Sequence, residues 1–248
     1  MSAYETFASV YDLFMEQVEY DEWLDHIHAV WKKYGITPKT ILDLGCGTGS
    51  ILLPLAQEGF DVIGVDLSPE MLTEADHKAM EAGVSVRLAC QDMTELDLGE
   101  QADCILSLCD CMNYLIEDGQ LESAFQSIAA HMKKESLFLF DMNTEYKFRE
   151  VLGQKVFGAA EEAAAYIWEN DYDEEEKINE YYVSFFIEQE NGLYERVEEY
   201  HYERAYSIEE IEQALQEAGM ELLEVTDGYS FAKPHEKSER LLFAARLK

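Results

Sequence analysis

Asp43, Gly45, Gly47 and Gly49 occupy alternate positions in the stretch Ile41-Leu42-Asp43-Leu44-Gly45-Cys46-Gly47-Thr48-Gly49-Ser50. An apolar run enters the glycines and an apolar segment of helical spacing leaves them, which reads as a strand, a tight loop and a helix start. Open α/β sheets build nucleotide sites from that succession. Glycine takes backbone angles closed to other residues there and lets a ligand lie against the main chain. A dinucleotide fingerprint has two residues before its third glycine, whereas only Thr48 separates Gly47 from Gly49. The next apolar run, Val62-Ile63-Gly64-Val65-Asp66, ends in a carboxylate that can accept hydrogen bonds from both hydroxyls of a ribose.

Asp-x-Gly-x-Gly-x-Gly resembles the first motif of the class I S-adenosylmethionine-dependent methyltransferases, and three later stretches resemble the motifs that follow it. Asp66 matches the acid that holds the ribose. In Cys90-Gln91-Asp92-Met93, the resemblance implies that Asp92 accepts from the adenine amino group and Met93 packs on the ring. The run from Asp103 to Leu115 resembles the fourth motif, whose loop faces the methyl group and the acceptor, and it carries the pair Asn113-Tyr114. The expected cofactor site is Tyr11, Asp43, Gly45, Cys46, Gly47, Asp66, Leu67, Ser68, Met71, Asp92, Met93, Leu108, Cys109, Asp110 and Asn113. The Asn/Asp-Pro-Pro-aromatic run of adenine methyltransferases acting on nucleic acid is missing. A looser likeness joins the aromatic lead Tyr4, Phe7 and Tyr11, and an antiparallel insertion after the fifth strand, to small-molecule enzymes of the glycine and amino-sugar N-methyltransferase kind.

Composition narrows the partners. The chain has 248 residues with 52 acids against 18 bases, a net charge of −34. Phosphate backbones attract Lys and Arg, so this surface repels nucleic acid. The plain consequence of the acidity is solubility and tolerance of salt; a second is a field favouring cationic acceptors such as amines. No apolar run reaches the roughly 20 residues of a membrane span, and the N-terminus has no basic flank or signal core. Five cysteines without a Cys-x-x-Cys pair, most of them in or beside expected buried strands, fit reduced thiols and a cytoplasmic location. The histidines and cysteines lack the clustered spacing of a metal site. Asp141 and Asn143 at the end of the fifth strand invite a metal-assisted reading, but a hard cation needs more oxygens than two.

These residues need a scaffold, and the pattern supplies one. Residues 4–34 read as helical, with Trp23, Leu24, Ile27, Val30 and Trp31 on one stripe. Strands are expected at about 40–44, 61–66, 84–89, 103–108 and 136–141, with helices at 49–58, 69–82 and 118–133 between them. Such alternation implies right-handed crossovers in a mainly parallel sheet. Beyond Asp141 the chain is crowded with carboxylates and aromatics. Tyr181–Glu188, the turn Asn191-Gly192 and Val197–Tyr206 read as an antiparallel hairpin. A helix capped by Ser207 and ended by Gly219 leads to final strands at about 220–226 and 240–247.

The expected architecture is a single α/β domain with a Rossmann-like seven-stranded sheet, helices on both faces, and only the last strand antiparallel. Residues 1–39 form a helical lid, 40–141 and 207–248 the S-adenosylmethionine-binding core, and 142–206 an antiparallel insertion over the active site. The implied reaction is in-line transfer of a methyl group from S-adenosylmethionine to nitrogen or oxygen of a small molecule. Positioning and exclusion of water supply most of the rate. A protein methyltransferase and a non-catalytic S-adenosylmethionine-binding regulator are the alternatives. A base is optional in this chemistry. If one is used, His201 is the first candidate, because an imidazole titrates near neutral pH; an outward-facing His on an edge strand is the commoner arrangement. Tyr11 and Asn113 are further catalytic candidates. Tyr114, Tyr202 and Arg204 are candidates for acceptor binding, although the preferred role for Arg204 is to relieve its acidic neighbours.

Overall fold

The computed structural model describes residues 11–12, 15, 18–161, 164–189 and 191–248. Helix α1 (Tyr20–Tyr34) precedes strand β1 (Thr40–Leu44), helix α2 (Leu52–Gln57), β2 (Asp61–Asp66), α3 (Pro69–Ala82), β3 (Arg87–Cys90) and β4 (Ala102–Ser107). Then follow α4 (Gln120–Ala130), β5 (Met132–Asn143), a π-helical turn Lys147–Leu152, and the strands β6 (Val156–Ala160), β7 (Ala164–Asp173), β8 (Ile178–Glu188) and β9 (Tyr194–Arg204). Helix α5 (Ile208–Glu217) and strands β10 (Met220–Asp227) and β11 (Arg240–Leu247) come last.

Seven strands form one sheet in the order β10-β11-β5-β4-β1-β2-β3. β1 pairs in parallel with both β2 and β4, while β11 runs antiparallel to its neighbours β10 and β5. The chain leaves β1 toward β2 and β3, then crosses back to β4 on the other side. Strand order therefore reverses between β1 and β4, and open α/β sheets bind ligands beyond the carboxyl ends of the strands at such a point. The glycine loop and the Cys109-Asp110 loop both start there.

Alternation along β1 sends Ile41 to one face and Leu42 and Leu44 to the other. On one face Phe138, Phe140 and Phe243 stack at centroid distances of 4.6 and 4.9 Å beneath Phe125 of α4. Leu24, Ile27, Val30 and Trp31 of α1 cover the other with Leu52 and Leu55 of α2. Each fully buried side chain of this size contributes about 1.5–3 kcal/mol. Local signals fix the ends of α3: the Ser68 hydroxyl accepts from the Met71 N–H at 3.2 Å, and Pro69 occupies the first turn, where its missing donor costs nothing.

Several boundaries move. The expected helix at 4–34 is interrupted: Tyr11, Asp12 and Met15 are helical, Val18 and Glu19 are not, and α1 begins at Tyr20; the expected helical aromatics Tyr4 and Phe7 lie outside the described residues. α2 starts at Leu52 rather than 49, since the chain first completes the glycine turn, and this places Pro54 in the first turn. α4 stops at Ala130, and β5 takes over from Met132, four residues earlier than expected. The insertion is larger than one hairpin. β6 and β7 join β8 and β9 in a four-stranded antiparallel sheet, order β6-β7-β8-β9.

Candidate active site

Gly45 and Gly47 hold φ of +70° and +53°, in the left-handed region. A Cβ on Gly45 would stand 2.3 Å from Cys111 Sγ, so this glycine is required by crowding as well as by conformation. A Cβ on Gly47 would meet nothing within 4 Å, because Gly47 borders an open cavity. The loop is pinned to β2: Gly45 N–H donates to the Val65 carbonyl at 2.7 Å, and Gly47 N–H donates to Asp66 Oδ2 at 2.8 Å. Ser68 N–H donates to Asp66 Oδ1 at 2.9 Å. Both oxygens of Asp66 are thus oriented, each with a lone pair to spare, and burial raises its pKa against these backbone donors. Below the loop, Asp43 Oδ2 is buried without a hydrogen-bond partner among the described residues. Burial, with the nearby Asp66 charge, pushes the Asp43 carboxyl up to about 8.

The cavity beside this loop has a volume of about 670 Å³, within the range of small-molecule sites. Its floor is Gly45, Gly47, Asp66, Leu67, Ser68, Met71, Gln91, Met93, Cys109, Asp110 and Cys111. Its roof is the inner face of the four-stranded sheet, with Tyr166, Trp168, Tyr181, Val183, Phe185, His201 and Glu203. Tyr11 and Met15 enter from the N-terminal segment, and Tyr11 OH lies 3.9 Å from Cys109 Sγ. Asp12 beside it accepts from Thr48 at 2.6 Å and pairs with Lys78 at 2.6 Å, fastening that segment to the glycine loop.

A charged cluster closes the end of the cavity at the Cys109-Asp110 loop, where two consecutive non-glycine residues take φ of +62° and +57°. Asp110 N–H donates to Asp141 Oδ1 at 2.7 Å, and Arg240 bridges Asp110 and Asp141, also at 2.7 Å to each. Tyr229 donates to Asp141 at 2.6 Å. Asn143 Nδ2 reaches Asp110 at 2.8 Å and Glu203 at 3.1 Å, and Lys147 Nζ donates to Asn143 Oδ1 at 2.8 Å. The side-chain oxygens of Asp141 and Asn143 are engaged by two protein cations, a phenol and the Asp110 N–H. Burial opposes ionisation of Asp110, but the Arg240 and Lys147 charges hold its pKa below the usual range. Glu203 goes the other way: burial and then the Asp110 charge push its pKa well above the usual carboxylate range. Burial also pushes the Cys109 thiol up to about 12, reinforced by Asp110, which leaves it a poor nucleophile.

Other sequence candidates lie elsewhere. Tyr202 does not line the cavity: side chains alternate along β9, and it projects outward to bond Glu180 at 3.1 Å. The same alternation turns His201 inward, against the commoner expectation for an edge strand, and it is 5% exposed. Arg204 also misses the cavity; its guanidinium donates to the Ile116 carbonyl and Asp118 and lies over Tyr206, so it relieves acidic neighbours. Asn113 is fully buried as a clip. It donates to the Asn143 and Arg204 carbonyls at 3.1 and 2.9 Å and accepts from the Asn143 N–H at 2.9 Å. Asp43, Cys46 and Leu108 pack below the loops, and Asp92 is an exposed cap that binds Thr94 at 2.8 Å; it is its neighbours Gln91 and Met93 that border the cavity. Tyr229, Arg240, Glu203, Lys147 and the roof aromatics were not identified from sequence as site residues. The crowding of aromatics and acids between residues 161 and 203 signalled the roof aromatics and Glu203; Lys147, Tyr229 and Arg240 had no local signal.

Comparison with known proteins agrees with this geometry. Residues 41–135 match the family described as "Methyltransferase domain". A protein of Geobacillus sp. (strain WCH70), named as a methyltransferase, is 38% identical over 98% of this chain and 99% of its own. The crystal structure of an S-adenosylmethionine-dependent methyltransferase from Clostridium acetobutylicum ATCC 824 superposes with a TM-score of 0.89 at 35% identity, covering 98% of each chain. The sugar N-methyltransferase KedS8 from Streptoalloteichus sp. shares the fold, with a TM-score of 0.79 at 20% identity over 96% of this chain and 92% of its own. The open side of Gly47 and the oriented Asp66 carboxylate suit a polar nucleoside lying on the loop. This chain belongs to the class I S-adenosylmethionine-dependent methyltransferases, with the enzymatic activity and the cofactor of that family.

Proposed function

We propose that the enzyme methylates nitrogen or oxygen of a small molecule held beneath the β6–β9 sheet. The observation that carries this reading is the continuity of the cavity, which runs without a wall from the glycine loop and Asp66 to the aromatic inner face of the roof. A nucleoside fills the loop end, and what is left is a chamber of metabolite size enclosed by Tyr166, Trp168, Tyr181 and Phe185. Such rings accept an apolar body, a flat ring or a cation.

Asp66 would hold the ribose, Met93 would pack on the adenine, and Tyr11 and the Cys109-Asp110 loop would border the methionine portion. When bound, S-adenosylmethionine supplies a sulfonium-activated methyl whose C–S bond breaks as the acceptor's lone pair bonds to the methyl carbon. The protein holds the acceptor in line, about 3 Å from that carbon, and excludes water. The Asp110–Arg240–Asp141 bridge fixes the wall against which this alignment is made. Five free cysteines, two of them buried, support a cytoplasmic setting.

The test is formation of S-adenosylhomocysteine with a panel of small amines, phenols and alcohols, alongside calorimetric binding of S-adenosylmethionine. Binding with turnover of one class supports the reading. Binding without turnover across the panel overturns it and favours a regulator.

A further inference from the structure

Strand β9 turns Glu199, His201 and Glu203 inward and Glu198, Tyr200 and Tyr202 outward. Glu199 Oε2 lies 3.2 Å from His201 Nε2, with both side chains about 5–6% exposed. On the other side of the imidazole, Tyr114 OH lies 3.5 Å from Nδ1, and the two rings meet edge to face at 6.0 Å and 88°. Tyr114 and His201 both line the cavity, one from the loop after β4 and one from the roof. A carboxylate facing Nε2 selects the tautomer with its proton on Nε2 and leaves a lone pair on Nδ1, directed at the phenol. A spacing of 3.5 Å is at the edge of hydrogen-bond reach, as catalytic pairs often are before the acceptor binds.

We propose that Tyr114, His201 and Glu199 form a proton relay. His201 is the general base, Tyr114 carries the acceptor's proton to it, and Glu199 is a positioning residue that fixes the imidazole tautomer. The inference rests on the small-acceptor reading and narrows it: the acceptor reaches the site with a proton to lose, as an ammonium or a hydroxyl. An ammonium gives up this proton before its lone pair attacks, a hydroxyl as it attacks. The proton passes to the Tyr114 oxygen while the Tyr114 proton passes to Nδ1. The phenol is regenerated, the imidazolium is left paired with the Glu199 carboxylate, and it afterwards gives its proton to water.

The carboxylates along the described cavity wall are engaged elsewhere. Asp66 is held by two backbone donors, Asp110 by Arg240 and Asn143, and Glu203 by Asn143. Nothing in the cofactor chemistry requires a buried carboxylate behind an imidazole; orienting a base does.

Nitrogen-15 correlation spectra of the full-length protein with S-adenosylhomocysteine bound report the tautomer directly, with His201 identified by loss of its signals in His201→Gln. The expected result is a neutral ring protonated on Nε2 in the wild type and a mixture of tautomers in Glu199→Gln. A wild-type ring protonated on Nδ1, or a tautomer indifferent to Glu199→Gln, overturns the relay. With whichever panel acceptor turns over, His201→Gln and Tyr114→Phe should lower kcat about 100-fold, the low end for a general base. Glu199→Gln should lower it roughly tenfold with the acceptor KM within about threefold. S-adenosylhomocysteine affinity stays unchanged in all three. Turnover indifferent to these substitutions sinks the relay alone, whereas a wild type that methylates nothing sinks the reading of the cavity.

Discussion

Arg240 Nη2 donates to Asp110 Oδ1 at 2.7 Å, joining the first residue of β11 to the loop after β4 across 130 residues of sequence. The same guanidinium holds Asp141, which is fully buried, and lies over the Trp23 ring with its carbon 5.6 Å from the centroid. Removing it leaves two buried carboxylates facing each other. Arg240→Met should destabilise the protein by about 3–5 kcal/mol, as the loss of one partner from a buried ion pair does. Thermal unfolding measures this, and a Tm near that of the wild type would show the pair to be dispensable.

Asp66→Ala should weaken binding of S-adenosylmethionine and S-adenosylhomocysteine by at least roughly tenfold, since hydrogen bonds to a charged group contribute about 1.5–3 kcal/mol each. Calorimetric titration compares the two proteins. Equal affinities would remove Asp66 from the ribose site.

Gly45 and Gly47 separate crowding from conformation. Gly45→Ala combines positive φ with a 2.3 Å clash against Cys111 and should lose far more stability than Gly47→Ala. The latter bears only the left-handed strain of about 1–2 kcal/mol. Its methyl group projects into the open cavity, so Gly47→Ala should lose cofactor affinity instead. Tm and binding measured on both variants should rank them in opposite orders.

Asp43 makes stability depend on pH. Its folded pKa of about 8 lies above the ordinary value of 3.8, so the native state holds a proton that the unfolded chain releases. The stability it contributes is complete below pH 3.8 and is lost as pH rises toward 8, at up to roughly 1.4 kcal/mol per pH unit. Asp43→Asn should therefore gain Tm relative to the wild type at pH 8 compared with pH 5. Identical shifts at both pH values would show that the carboxyl is ionised in the folded protein.

Asn113→Ala should behave as a structural lesion. Its three hydrogen bonds join the end of β5 to the end of β9, and each buried partner left unsatisfied costs about 1–3 kcal/mol. Hydrogen exchange should accelerate near Arg204 and Asn143 and stay unchanged in α3. Full stability with lost turnover would instead make Asn113 a catalytic group.

The parallel core was legible because its signals are local. The span 61–66 and the helix at 69–82 coincide with β2 and α3, as apolar alternation and the Ser68-Pro69 cap act within a few residues. β6 and β7 were not: Val156–Ala160 is small and glycine- and alanine-rich, and β7 opens on two alanines and ends in the acidic run from Glu169 to Asp173. β7 becomes a strand by pairing with β8, and β6 by pairing with β7. The facing of β9 was obscured for a related reason. Tyrosines normally mark the packed side of a strand, yet here Tyr200 and Tyr202 face water, and the charged residues line the cavity. Arg240 reaches Asp110 by topology alone, and no spacing rule spans that distance.

The roof leaves the core once, after Asn143, and returns once, at the start of α5. Everything proposed to grip the nucleoside lies outside that detour, and most of what is proposed to grip the acceptor lies inside it. On the proposed reading, acceptor choice is carried by one continuous cassette, and exchanging it should change the acceptor while donor specificity is inherited.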